Sequence, residues 1–420
     1  MKILIIFILI FPFIFSSIIF PFKTRKMKDN LSHEETLKNL YLNKEIINIT
    51  IGEPNQIIEA TINLEKYDFF FLQNLDNVNY YNSKKSKNSF ILDKRLSPFI
   101  DSPLKYGLYA QDSLSIKTLK ETIKLNNISF VIGINSTLND YANIGLNFYD
   151  SSEDVNINFY FQIQNKSEEK IKTMTIKYNN DFEGELIFGN YTFDYNPWKY
   201  NKNNLVSSNV DIIHQNNQGW KIYFDIIKFD NEQYNGNNHI TFSLENGFIK
   251  GPIELNNIFL KKVFIQDKCN KIILESIMTF YYCDDDVSFI NFPNLYFHNR
   301  EMNYTFSLKK EELFIKKNGK IYFLIYFLEK NKFSNWILGK PFLKKYQLFF
   351  DYEKKKIGFY TPEKKKNDNL SSKLNVIIIL IIVIFVLLFI LYKFHYNQKR
   401  KRRINEVDDN YNYMTSLNTE

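Results

Sequence analysis

The chain has 420 residues, long enough for two domains of ordinary size after its terminal segments are set aside. Its net charge is +8, but much of the conspicuous Lys/Arg clustering flanks one apolar run near the C-terminus, so the charge does not argue for a nucleic-acid partner. The five histidines, His33, His214, His239, His298 and His395, show neither metal-ligand nor triad spacing, and no cofactor is expected.

In chain order, Lys2 precedes an apolar run from Ile3 to Phe15 and then Ser16-Ser17, the pattern of a secretory signal over residues 1–17. The apolar character continues to Phe22, which leaves an uncleaved anchor open as the alternative. Abundant Phe, Tyr and Ile, in short runs such as Thr173–Tyr178 and Ile222–Phe229 bounded by Asn, Asp and Gly, predict strands and turns. Cys269 and Cys283, an even pair in a lumenal domain, read as a disulfide. Closing that loop stabilises by roughly 3 kcal/mol in the chain-entropy model. Sequons begin at Asn48, Asn127, Asn135, Asn165, Asn190, Asn303 and Asn369; Asn is common enough for many to be coincidental. Leu374 to Tyr392 carries no charge and has the length of a bilayer span, with Lys364–Lys366 and Lys373 before it and Lys393 and Lys399–Arg403 after. This predicts a single-pass type I membrane protein, lobes extracellular or lumenal, with membrane lipid as a partner through one helix. In the tail, Tyr411-Asn412-Tyr413-Met414 fits either a sorting signal or plain disorder.

Several segments carry a family resemblance. Ile46 to Gln56, with Gly52-Glu53-Pro54-Asn55-Gln56, resembles the strand-turn-strand that opens the pepsin family. The family's D-T-G begins eleven residues after that glycine; here the positions are Asn63, Leu64 and Glu65. Thr241 to Glu245, ahead of Gly251-Pro252, is similar to the second D-T-G segment, with Ser243, Leu244 and Glu245 in its three places. Trp336 to Leu343, then Phe350-Asp351 and Ile357 to Tyr360, resemble the family's closing W-I-L-G-D-x-F-L…F-D…I-G-F, with Lys340 replacing the Asp. Tyr106-Gly107 resembles the start of the flap hairpin, and Ile144-Gly145-Leu146 and Trp336-Ile337-Leu338-Gly339 resemble the segments that support the two active loops. Phe182 to Gly189 resembles the G-E-L-x-F-G strand late in the first lobe, and Trp220-Lys221-Ile222 the opening of the second. Cys283 resembles a family cysteine whose usual downstream partner is missing.

The resemblance implies an all-β, bilobal pepsin-like (acid protease) double-barrel fold with pseudo-twofold symmetry, plus one C-terminal transmembrane helix. The implied organisation is a signal peptide at 1–17, a shortened propeptide-like segment at 18–40, an N-terminal lobe at 41–200 and a C-terminal lobe at 201–362. A juxtamembrane linker at 363–373, a transmembrane helix at 374–392 and a cytoplasmic tail at 393–420 complete it.

Pepsin-type chemistry needs two carboxylates sharing one proton. Asn63 and Ser243 can hydrogen-bond a water but do not titrate as acids in the useful range. Proteolysis of the family type is therefore not expected. Leu64 and Leu244 stand where the family's threonines brace the opposite loop, and are expected to meet across the lobe interface. A propeptide lysine that caps the dyad in the family would lack its partner here. Three functions follow: a membrane-tethered pseudopeptidase whose groove binds an extended peptide or protein ligand by strand addition; an atypical endopeptidase using Glu65 and Glu245 as a displaced pair; or a structural surface protein with a closed groove.

Overall fold

The computed structural model describes residues 17–25, 31–361 and 384–399, apart from 67, 74–78, 97–105, 118–121, 135–140, 148–156, 168–170, 196–199, 212–218, 230–231, 235, 237, 263–267, 288–293 and 329–334. Apolar side chains alternating into a core make strands the main element of the described residues between 18 and 360. The first part of the chain supplies β1 (Ile18–Thr24), helix α1 (His33–Tyr41), β2 (Glu45–Ile51), β3 (Gln56–Asn63), β4 (Phe69–Leu72), β5 (Phe90–Leu96), β6 (Tyr106–Lys117), β7 (Thr122–Ile134) and β8 (Ala142–Gly145). Helix α2 (Phe159–Lys166), β9 (Thr173–Tyr178), β10 (Glu183–Gly189) and β11 (Leu205–Asn209) follow.

The second part supplies β12 (Lys221–Tyr223), β13 (Ile226–Phe229), β14 (Glu232–Tyr234), β15 (His239–Phe242), β16 (Ile249–Gly251), α3 (Ile253–Lys262), β17 (Cys269–Leu274), β18 (Met278–Asp284), β19 (Leu295–Asn299) and β20 (Tyr304–Leu308). It ends with β21 (Phe314–Lys317), β22 (Lys320–Phe323), β23 (Ile325–Leu328), β24 (Trp336–Leu338), α4 (Lys340–Leu343), β25 (Gln347–Asp351) and β26 (Lys356–Tyr360).

The internal repeat is visible in the pairing. In the first lobe β3 runs parallel to β8, β8 antiparallel to β4, and β4 parallel to β7. In the second, β15 runs parallel to β24, β24 antiparallel to β16, and β16 parallel to β23. The first lobe closes into a six-stranded barrel, β2-β3-β8-β4-β7-β6, because β6 pairs back onto β2 at Thr50↔Ser115 and Ile51↔Leu114. The second lobe departs from the double-barrel expectation: among the described residues its strands form a nine-stranded sheet and a separate four-stranded sheet, β14-β13-β19-β20. The fold is mostly β rather than all-β, since the helices also pack into it.

Strands from both ends of the chain build the sheet beneath the lobes, in the order β11-β26-β25-β9-β10-β1-β2. Here the segment that resembles a shortened propeptide has a structural place. β1 lies inside the sheet, paired with β10 from Ile18↔Phe188 to Lys23↔Glu183 and with β2 at Lys23↔Ile46 and Thr24↔Glu45. Ile18, Phe20 and Phe22 are buried.

The Cys269–Cys283 disulfide is present and joins residues directly opposite on β17 and β18. Residues 1–362 form one compact unit and residues 363–420 a second. In the second, residues 384–399 are helical. No helix among the described residues is long and apolar enough to cross a membrane, and residues 374–383 of the expected span lie outside the described residues. So do the signal segment up to residue 16, Asn135, Asn369 and the tail from 400 onward.

Candidate functional site

β3 ends at Asn63 and β15 stops one residue before Ser243, so the parallel partners β8 and β24 place Gly145 beside Asn63 and Leu338 beside Phe242. The loops are fixed by matching backbone bonds: Leu146 N–H donates to Asn63 O at 2.8 Å, and Ser243 N–H donates to Leu338 O at 3.1 Å. Gly339 is required by close approach, since a Cβ there would fall 2.1 Å from Phe248 O and 2.3 Å from Asn246 O. Trp220 reaches the first-lobe loop, its Nε1 donating to Leu146 O at 2.8 Å. Asn147 Nδ2 then donates to Glu65 O at 2.9 Å.

Asn63 and Ser243 are both buried. The Asn63 amide is engaged through both its oxygen and its nitrogen. Its Oδ1 accepts from Glu65 N–H at 2.7 Å and Lys66 N–H at 2.8 Å, holding the turn, while its Nδ2 donates to Glu245 Oε2 at 2.9 Å. Asn63 to Glu245 thus joins the two loops directly. Lys44 Nζ lies 3.6 Å from Glu245 Oε1. Lys44, just beyond the propeptide-like segment, thus has a carboxylate partner in Glu245, two residues past Ser243. Glu65 is exposed. Neither Glu needs the left-handed backbone that would call for glycine.

Leu64 and Leu244 are 2% and 0% exposed and belong to one continuous apolar core. Tyr106 and Gly107 do not begin the hairpin that resembles a flap. They lie on its returning strand, Gly107 opposite Leu96, and the connecting residues 97–105 lie outside the described residues. The outgoing strand of that hairpin is β5, which pairs with β6 from Phe90↔Gln111 to Leu96↔Gly107.

Residues 33–44 lie against the second lobe beside these loops. Tyr41 O accepts from Gly247 N–H at 3.2 Å, and the Tyr41 ring packs edge-on against Phe280 and Tyr326 at 5.8 and 5.4 Å. Burial raises the Tyr41 hydroxyl pKa, with the charges of both Glu65 and Glu245 adding to the effect. Burial likewise lowers the Lys250 pKa, opposed by Glu65.

A second buried polar group anchors the segment's ends. Lys340 Nζ is 2.8 Å from Glu45 Oε1, an ion pair without good hydrogen-bond alignment, with side chains 4% and 0% exposed. Glu45 also accepts from Thr24 Oγ1 at 2.8 Å and Tyr178 Oη at 2.9 Å. Burial pulls Lys340 down to about 8, despite the attraction of Glu45. The Lys-for-Asp change after Gly339 was legible in sequence, but its partner, distant in sequence, was not.

One cavity of about 970 Å3 is lined by Asp211, Tyr223, His239 and Arg300, and one of about 630 Å3 is bordered by Leu40, Asn43, Gly247 and Lys340. No cluster of His, Cys, Asp and Glu among the described residues is arranged to hold a metal.

The paired loops, their parallel supports and the sheet beneath them define a pepsin-like protein. The sequence model of the eukaryotic aspartyl protease family matches residues 76–361, and the chain belongs to that family. The match includes Ser243 and begins after Asn63. Among solved structures it is similar to basic 7S globulin from soybean (12% identity, TM-score 0.61, covering 83% of this chain and 95% of that one). It is also similar to conglutin gamma, a basic 7S globulin from lupine seeds (11%, TM-score 0.61, 83% and 96%). At these identities the likeness concerns the fold alone. No curated protein matches the chain.

Proposed function

We propose that this is a catalytically silent pepsin-like protein, anchored to a membrane by residues 374–392, whose inter-lobe site is held by its own N-terminal segment. The observation that carries this reading is Asn63 Nδ2 donating to Glu245 across the loops, with Lys44 on the same carboxylate. An amide and a lysine-paired carboxylate cannot share a proton as the family's dyad does. A displaced pair of Glu65 and Glu245 is not favoured, because Glu245 is engaged by Asn63 and Lys44. An extended peptide would first have to displace residues 33–44. Of the three readings, the filled groove fits the contacts best. The membrane reading rests on the uncharged 374–392 run and its basic flank. The buried disulfide agrees with a lumenal or extracellular location.

The test is turnover of a broad peptide library by the full chain in detergent from acidic to neutral pH, with a pepsin-type transition-state inhibitor as control. No inhibitor-sensitive cleavage is expected. Cleavage lost in Glu245→Gln would establish the displaced site instead.

A further inference from the structure

We propose that the cavity of about 630 Å3 at the C-terminal end of helix α1 binds a small neutral amphiphile, an apolar body carrying a hydroxyl or primary amide head. Its volume falls in the range of small-molecule sites, about 300 to 1,000 Å3. Binding there requires nothing of Asn63 or Glu245.

Three elements supply apolar walls. Leu40 comes from α1, Phe314 and Ile315 from β21, and Phe182 from the turn between β9 and β10. Phe314 and Ile315 are only partly buried, and Phe182 is 60% exposed, a large ring left in water beside the cavity. An apolar body lying against these side chains removes their surface from water, which water inside the cavity does not.

The polar side of the cavity is short of one acceptor and one donor. Lys340 carries three N–H donors when charged. Its Nζ lies 2.8 Å from Glu45 Oε1 yet makes no aligned hydrogen bond, while Glu45 is already served by the Thr24 and Tyr178 hydroxyls. Asn43 Oδ1 is buried and accepts from no donor among the described residues. Both residues border the same cavity. A hydroxyl or primary amide both donates and accepts, so one head group can answer both.

The charges point to a neutral ligand. Glu45 balances Lys340, Asp181 lies 3.1 Å from Lys344, and Glu312 lies 2.7 Å from Lys345. The other ionic side chains at the cavity among the described residues, Lys317 and Glu311, are of opposite sign. A charged ligand would thus lose its hydration without gaining a counter-charge of its own.

Four probes that share one body and differ in the head separate these features: phenylbutanamide, phenylbutanol, phenylbutyrate and phenylbutylamine, each with the phenyl at the far end of the chain. Each is titrated into the full chain in detergent by saturation-transfer NMR, against protein-free micelles. The amide and the alcohol should saturate at or below about 1 mM, and the carboxylate and the amine should bind at least about tenfold more weakly. Phe182→Ser, at an exposed position, and Asn43→Ala, which removes an oxygen that makes no hydrogen bond, should keep the melting curve. Each should weaken the amide about three- to tenfold. Should Asn43→Ala not fold, Phe182→Ser alone decides. No saturable signal above the micelle blank means a cavity that takes up water only, and overturns the proposal. So does equal binding of the charged probes, or binding that either folded variant leaves unchanged.

Discussion

Asn63 shows how one amide can replace a catalytic acid without disturbing the loop it holds. Its Oδ1 keeps the turn bonds a carboxylate would make, while its Nδ2 supplies a proton toward Glu245 that an ionised Asp could not. Asn63→Asp should therefore leave the turn intact but set two carboxyl groups at hydrogen-bond distance. They would share a proton, raising one pKa above its unfolded value. A raised carboxyl pKa gives stability that is full below the unfolded value and lost as pH rises through the folded one. Urea melts should show the variant near wild type at pH 4 and less stable by about 1 to 3 kcal/mol at pH 7, with Lys44 moderating the loss. The buried Lys340–Glu45 pair gives a second expectation. Lys340→Met should cost about 3 to 5 kcal/mol by stranding Glu45, whereas Lys340→Met with Glu45→Gln should cost far less. Because burial holds Lys340 near 8 against 10.5, the unfolded chain binds more protons between those values. The lysine's share of stability thus rises with pH in that window and is lost as pH falls through 8, a slope the double variant should lack. Above pH 10 the buried hydroxyls of Tyr178 and Tyr352, whose pKa values burial raises, act in the opposite sense.

At the scale of elements, the loops at 63–65 and 243–245 were legible because their flanking motifs fix the count of residues, and Gly145 and Gly339 fall where those motifs put them. Asn63 to Glu245 was not legible, since two residues apart from symmetry no spacing rule joins them. Helix α1 left a signal that went unused, Ser32-x-x-Glu35 ahead of Leu37 and Leu40. Tyr106-Gly107 shows which hairpin resembles the flap, but nothing in the sequence marks β5 as its other strand. The strand β1 was hidden for a different reason: a signal-like apolar run that continues to Phe22 looks the same whether it spans lipid or sits inside a sheet. Starting the chain at residue 41 should therefore abolish cooperative folding. It removes Ile18, Phe20 and Phe22 from the core, each worth about 1.5 to 3 kcal/mol, against a whole-domain stability of about 5 to 15 kcal/mol. A cooperative melt from such a chain, at unchanged midpoint, would refute the role given to β1.

For the molecule as a whole, the repeat dictated matching strand orders in the two lobes, while among the described residues barrel closure is seen in the first, where β6 returns to β2. The sheet beneath both lobes also orders events in time. Ile18 is among the first residues of the fold to be synthesised, yet its partner Phe188 emerges only after the whole first barrel has been made. β9 in turn waits for Leu348 to Asp351. Pairings so distant in sequence form late and slowly, and until they form the open edges of β10 and β9 invite aggregation. During synthesis, the sheet that the first strand begins is completed by the last strands made before the apolar run at 374, so its full ladder cannot close until almost the entire chain has emerged.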